Sequence, residues 1–128
     1  MIRASVRIAA PPEVVFPYFT DPRLMVTWIG ERAELDPRPG GAFAVDFGSV
    51  AAHGSYVTVE PPHRVVFTWG IPGDVTLPPG ASTVEVVLVA DDDDTIVHLT
   101  HRDVPASREP SHREGWERRL AALAARLR

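Results

Sequence analysis

Four residue types are missing from this chain: cysteine, lysine, asparagine and glutamine. Without cysteine there can be no disulfide, no thiolate nucleophile and no cysteine–zinc site. Without lysine there is no Schiff base and no phosphate-loop lysine, and all thirteen basic residues are arginine. The absence of both amides, beside abundant Ala, Arg, Pro and Gly, fits a GC-rich genome better than an adaptation to function. No apolar run approaches the ~18 residues of a membrane span, and the N-terminus lacks the basic-then-apolar layout of a secretion signal. The expectation is therefore a cytoplasmic protein with no membrane partner. A net charge of −4 argues against nucleic acid as well. G-x-S-x-G, H-E-x-x-H and glycine-rich phosphate loops are all absent. A length of 128 residues predicts one domain over 1–128. A chain of this size buries roughly two-thirds of its unfolded surface.

What is present is organised by hydrophobic period. Trp116, Leu120, Leu123, Ala124 and Leu127 form one stripe of a long C-terminal α-helix. Glu114, Glu117, Arg118, Arg119 and Arg126 fall off the stripe and can be solvated. Ser111 and Glu114 have the spacing of a capping box, with Ser107 as an earlier possible start. Ile2, Ala4, Val6 and Ile8 alternate with polar neighbours as a half-buried strand. After Ala10-Pro11-Pro12 comes a short apolar helix, which Pro17 shortens or bends. Asp21-Pro22 opens a second short helix that Gly30 closes. Strand patterns follow at 32–36, around Phe43, Val45 and Phe47, at 52–60, along Val65, Phe67 and Trp69, along Val84, Val86 and Leu88, and along Val97, Leu99 and His101. Residues 70–81 are rich in Gly and Pro and read as a loop. The order is strand, two short helices, about six antiparallel strands, then a long helix, an α+β pattern.

These segments resemble a known family. The stretches V-R-I-A-A-P-P-E-V-V-F, T-D-P-R-L-M-V-T-W-I-G, P-G-G-A-F, G-S-Y-V-T-V-E-P-P-H-R-V-V-F-T-W, T-I-V-H-L-T-H and H-R-E-G-W-E-R-R-L-A-A-L run in order from residue 6 to residue 123. Together they resemble the START-like (SRPBCC) superfamily, in the branch homologous to the activator of the ninety-kilodalton heat-shock chaperone ATPase. Pro17 departs from that pattern. The resemblance implies a helix-grip fold: a curved antiparallel sheet of about six or seven strands around a long C-terminal helix, with two short helices after the first strand. It also implies a stress-response setting and a heat-shock chaperone as one possible partner. The activator itself resembles this chain over one domain only, which weighs against that partner. Function does not follow from fold, so the site has to be argued separately.

The leading expectation is binding of a small apolar or aromatic ligand between sheet and helix. Trp28, Phe43, Tyr56, Phe67, Trp69 and Trp116 are the expected walls, and His101 the expected polar contact. Gly115 inside the helix costs on the order of 1 kcal/mol against Ala and suggests a close approach of the helix to the sheet or to a ligand. The loop 70–81 is a candidate flap over one mouth. No catalytic residue is assigned. A cyclase- or hydrolase-like reaction in the same cavity, with His101 as acid or base, is the enzymatic alternative. No cofactor and no metal are expected: His98 and His101 point to opposite faces of a strand, and Asp91 to Asp94 lack the spaced ligands of a calcium loop. That acidic run reads instead as a solvated hairpin turn. Monomer and homodimer are both compatible with the sequence.

Overall fold

The computed structural model describes the whole chain, Met1–Arg128. The first alternating segment is strand β1 (Ile2–Ile8). Helix α1 (Pro12–Val15) starts on a proline, whose missing N–H is not needed in a first turn. Pro17 cannot continue an α-helix, and the chain tightens into a 3₁₀ turn at Phe16–Phe19. Helix α2 (Pro22–Met25) is capped by Asp21, whose side chain accepts from the Arg23 N–H at 2.9 Å. Gly30, at φ +76°, then turns the chain into the sheet.

Six more strands follow: β2 (Arg32–Leu35), β3 (Ala42–Asp46), β4 (Ala51–Glu60), β5 (Arg64–Trp69), β6 (Ser82–Asp91) and β7 (Asp94–Arg102). They pair antiparallel in the order β1-β7-β6-β5-β4-β3-β2. β1 and β2 are thus the two edges. A register shift between Tyr56 and Thr58 in the β4–β5 pair marks a bulge, which bends a sheet. Gly54 sits just before it. A Cβ there would collide with the Thr68 carbonyl oxygen, so only glycine lets β4 pass this close to β5.

The C-terminal helix α3 (Glu109–Arg126) begins earlier than a Ser111 capping box requires. Pro110 occupies its first turn, Arg108 is the cap residue, and no side chain caps it. Ser111 Oγ donates to the Arg108 carbonyl at 3.1 Å, so it serves the turn before rather than starting the helix. Trp116, Leu120 and Leu123 are buried, with Ala124 and Leu127 packed against them. They meet Val84, Val86 and Leu88 of β6 and Val97 and Leu99 of β7 in one core cluster of 25 residues. This is the helix-grip arrangement, with a seven-stranded sheet.

Residues 70–81 form the expected loop. It is tied down: the Asp74 carboxylate accepts from the backbone of Thr76 and Leu77, and Arg108 Nη1 donates to its other oxygen at 2.7 Å. The run Asp91 to Asp94 is the β6–β7 hairpin turn, with Asp92 at φ +54°. Arg7 bridges Asp91 and Asp94, the latter at 2.9 Å. No helix is long and apolar enough to cross a membrane.

Candidate functional site

His101 lies on the helix-facing side of β7, as the alternation with Val97 and Leu99 requires, and it is fully buried. Trp116 Nε1–H donates to its Nδ1 at 3.0 Å. The proton of the neutral ring is therefore on Nε2, which donates to Ser82 Oγ at 2.8 Å. Ser82 Oγ–H in turn donates to the Trp69 carbonyl at 2.6 Å. Both ring nitrogens of His101 and the Ser82 hydroxyl are satisfied in this relay, so His101 ties α3 to β6 and β7 and has no nitrogen left for a ligand. Burial, with smaller contributions from His112 and the N-terminal amine, holds its pKa down to about 3.

Most of the expected wall aromatics pack on one another. Phe43 stacks on Phe67 with centroids 4.0 Å apart. Tyr56 meets both edge-on, and its hydroxyl donates to the Phe19 carbonyl at 2.8 Å. Burial pushes the Tyr56 phenol pKa up. Trp28 packs edge-on to Phe19 and donates to the Tyr18 carbonyl at 3.0 Å. The rings of Trp69 and Trp116 lie 5.1 Å apart. Between sheet and helix this column is solid core, where the sequence had suggested open space. Volume explains it: large rings on the neighbouring strands β3, β4 and β5 pack on one another and leave no gap.

Open space lies beyond Trp69. A cavity of about 180 Å³ sits between the β3–β4 end of the sheet and the first half of α3. Phe47, Ala52, Trp69 and Ile71 form its sheet side, and His112, Gly115 and Arg119 its helix side. Of the expected contacts, Trp69 alone lines it; Trp28, Phe43, Tyr56, Phe67, His101 and Trp116 do not. Ile71, from the tied-down loop, closes one flank.

Two residues here read differently from the sequence. Gly115 makes no close approach to the sheet. A Cβ on it would instead meet Arg119 Nη1 at 3.2 Å, so the glycine makes room for an arginine one turn later on the same helix. Arg119, which falls off the stripe, is half-buried. Its guanidinium lies 4.6 Å from the Phe47 ring centroid and 5.7 Å from that of Trp116. The available signal was its place, three residues after Trp116 and four after Gly115, which returns it to the edge of the buried stripe. Burial, then the neighbouring Arg118, lowers its pKa. His112 Nδ1 lies 3.0 Å from the Arg108 carbonyl and so carries the ring proton; burial, the largest influence, lowers its pKa.

Residues 9–128 match the family model described as "Activator of Hsp90 ATPase homolog 1-like protein". The chain belongs to that family. An AHSA1-like protein from Rhizobium etli is 38% identical, with 96% of this chain and 78% of that one covered and a TM-score of 0.74. An HSP90 activator from Plasmodium falciparum is 26% identical over 99% of this chain and 96% of its own, at a TM-score of 0.78. The Aha1 dimer of Colwellia psychrerythraea, 16% identical, shares the fold at a TM-score of 0.86, with 98% of this chain and 94% of that one covered. Comparison with curated proteins gives no match. The fold is shared with these relatives.

Proposed function

We propose that this chain binds a small apolar or aromatic molecule in the cavity between the sheet and the C-terminal helix. The observation that carries the reading is the cavity of about 180 Å³ walled by Phe47, Ala52, Trp69 and Ile71. An apolar cavity of about 150 Å³ is enough to hold benzene, so a single aromatic ring is the matching size. Binding is favoured over turnover because His101, the expected acid or base, has both nitrogens committed inside the core. Native mass spectrometry of the freshly purified protein should show a co-purified small molecule. Titration with indole or benzyl alcohol should quench Trp69 emission saturably. Emission unchanged up to millimolar concentrations of both probes would overturn the proposal.

A second reading, contact with a heat-shock chaperone, is supported by the likeness to the Plasmodium falciparum protein, which is an HSP90 activator and is covered over 96% of its length. It predicts that adding this chain to a purified ninety-kilodalton chaperone raises ATP hydrolysis. An unchanged rate at saturating chain would exclude it.

A further inference from the structure

From the polar groups that wall this cavity, we infer that its ligand is a small aromatic carboxylate, held by the Arg119 guanidinium and the Trp69 indole N–H. The inference rests on the proposed binding site and adds the ligand's charge.

Two unmatched donors carry it. The first is Arg119. Seven arginines of the chain pair with carboxylates: Arg7, Arg23, Arg32, Arg38, Arg64, Arg102 and Arg108. Arg119 is not among them. It is half-buried, pinned over the Phe47 and Trp116 rings, and neither Asp nor Glu lines the cavity beside it. A ring face attracts the cation but uses none of its five N–H donors. A desolvated cation without a counter-ion is costly, and an incoming anion removes that cost.

The second is Trp69. Its Nε1 is the one buried side-chain polar atom in the structure with no hydrogen-bond partner. The other two indoles are satisfied, Trp28 by the Tyr18 carbonyl and Trp116 by His101. Native proteins leave few such groups unpaired, and each asks for an explanation. Here the orphan belongs to Trp69, which lines the same cavity as the unpaired Arg119.

Both groups are donors, so an acceptor-only group complements them. A carboxylate presents two acceptor oxygens, and its match to a guanidinium is the bidentate pair. The apolar remainder of the wall suits the ring that bears it. Gly115 bears on the same site, since a Cβ there would sit 3.2 Å from Arg119 Nη1 and make the guanidinium give by a few tenths of an ångström.

The test uses benzoate against benzamide, its neutral counterpart of the same shape, with the ¹⁵N-labelled full chain observed by NMR. Benzoate should bind about tenfold or more tighter than benzamide, as charge-assisted pairing requires. Only the Trp69 indole N–H resonance, of the three, should move downfield with benzoate. Arg119→Met should abolish the preference, so that the variant binds benzoate no more tightly than it binds benzamide. Equal affinities in the unmodified protein overturn the carboxylate assignment and leave neutral-ligand binding standing; this comparison needs no variant to fold. An Arg119→Met protein that still prefers benzoate, or a Trp69 resonance that benzoate does not move, overturns it too. Failure of benzoate, benzamide, indole and benzyl alcohol alike overturns the binding site itself.

Discussion

Trp116 on the C-terminal helix donates its indole N–H to Nδ1 of His101 on the last strand, at 3.0 Å. The bond fixes a proton pattern as well as a distance. Nδ1 must stay unprotonated to accept, so charging the ring turns an acceptor into a donor facing a donor. The contact that closes the helix onto the sheet is thus available only to neutral histidine.

Acid should therefore loosen the fold earlier than its carboxylates alone would. The folded pKa of His101 is depressed to about 3, against an ordinary 6.5. A depressed pKa means that the unfolded chain binds the proton first. Stability is complete above about pH 6.5 and falls as pH drops toward 3. At pH 5 the loss from this one group is roughly 2 kcal/mol. Urea midpoints at pH 7.5 and 5.0 measure it. His112 is shifted the same way, so the decisive comparison is with His101→Phe, which should be less stable at pH 7.5 but show a smaller drop. An equal drop in both proteins would remove His101 as the cause.

The stripe of α3 sets the scale of core stability. Leu120 is 1% exposed and lies between the helix and the sheet. Leu120→Ala should cost about 2–5 kcal/mol, the usual range for a buried leucine. Leu120→Asp should leave the chain largely unfolded, because a buried unpaired charge is costlier still. Thermal melts followed by circular dichroism decide the matter, and an aspartate variant that melts normally would show the stripe unburied.

Gly115→Ala should separate stability from binding. Alanine favours the helix by about 1 kcal/mol over glycine. Its Cβ would sit 3.2 Å from Arg119 Nη1, so the guanidinium must shift and the cavity narrows. The expected outcome is a melting temperature that holds or rises, together with weaker binding of benzoate and benzamide. Unchanged affinity for both, measured by calorimetry, would show that the glycine has no part in the site.

The loop 70–81 should depend on one ion pair. Arg108 reaches Asp74 at 2.7 Å, and Asp74 in turn holds Thr76 and Leu77. Arg108→Ala should speed amide exchange at Thr76 and Leu77 while leaving β6 and β7 protected. Exchange that stays slow at Leu77 would mean that the buried Leu77 side chain, not the arginine, anchors the loop.

How far the sequence could be read depended on whether local period or tertiary volume decided the outcome. The burial of Trp116, Leu120 and Leu123 follows from spacing alone, and so does the inward face of Val97, Leu99 and His101. Pro17 announced a short or bent helix, and the chain meets that with a 3₁₀ turn. The start of α3 falls between the two the sequence offers: Arg108 is the cap residue, one after Ser107 and three before Ser111, with Pro110 in the first turn. The cavity was misplaced because periodicity gives a side chain's face but not whether neighbouring rings fill the space. Phe43, Phe67 and Tyr56 fill theirs. Arg119 reads as a residue that can be solvated because its inward course depends on a missing Cβ at Gly115 and on Phe47, far away in the chain.

The sheet order has a kinetic meaning too. From β3 to β7 each strand pairs with its predecessor, so each of these pairings closes a local loop. β1 alone pairs across the chain, with Ile2 opposite His101. Closing so long a loop costs more chain entropy and must await the rest. The N-terminal strand is then the last piece to be added, onto a β7 edge already shaped by the meander. Until it arrives, that edge is the molecule's exposed and sticky flank. Pulsed hydrogen exchange during refolding should find Ala4 and Val6 protected after Val86 and Leu88.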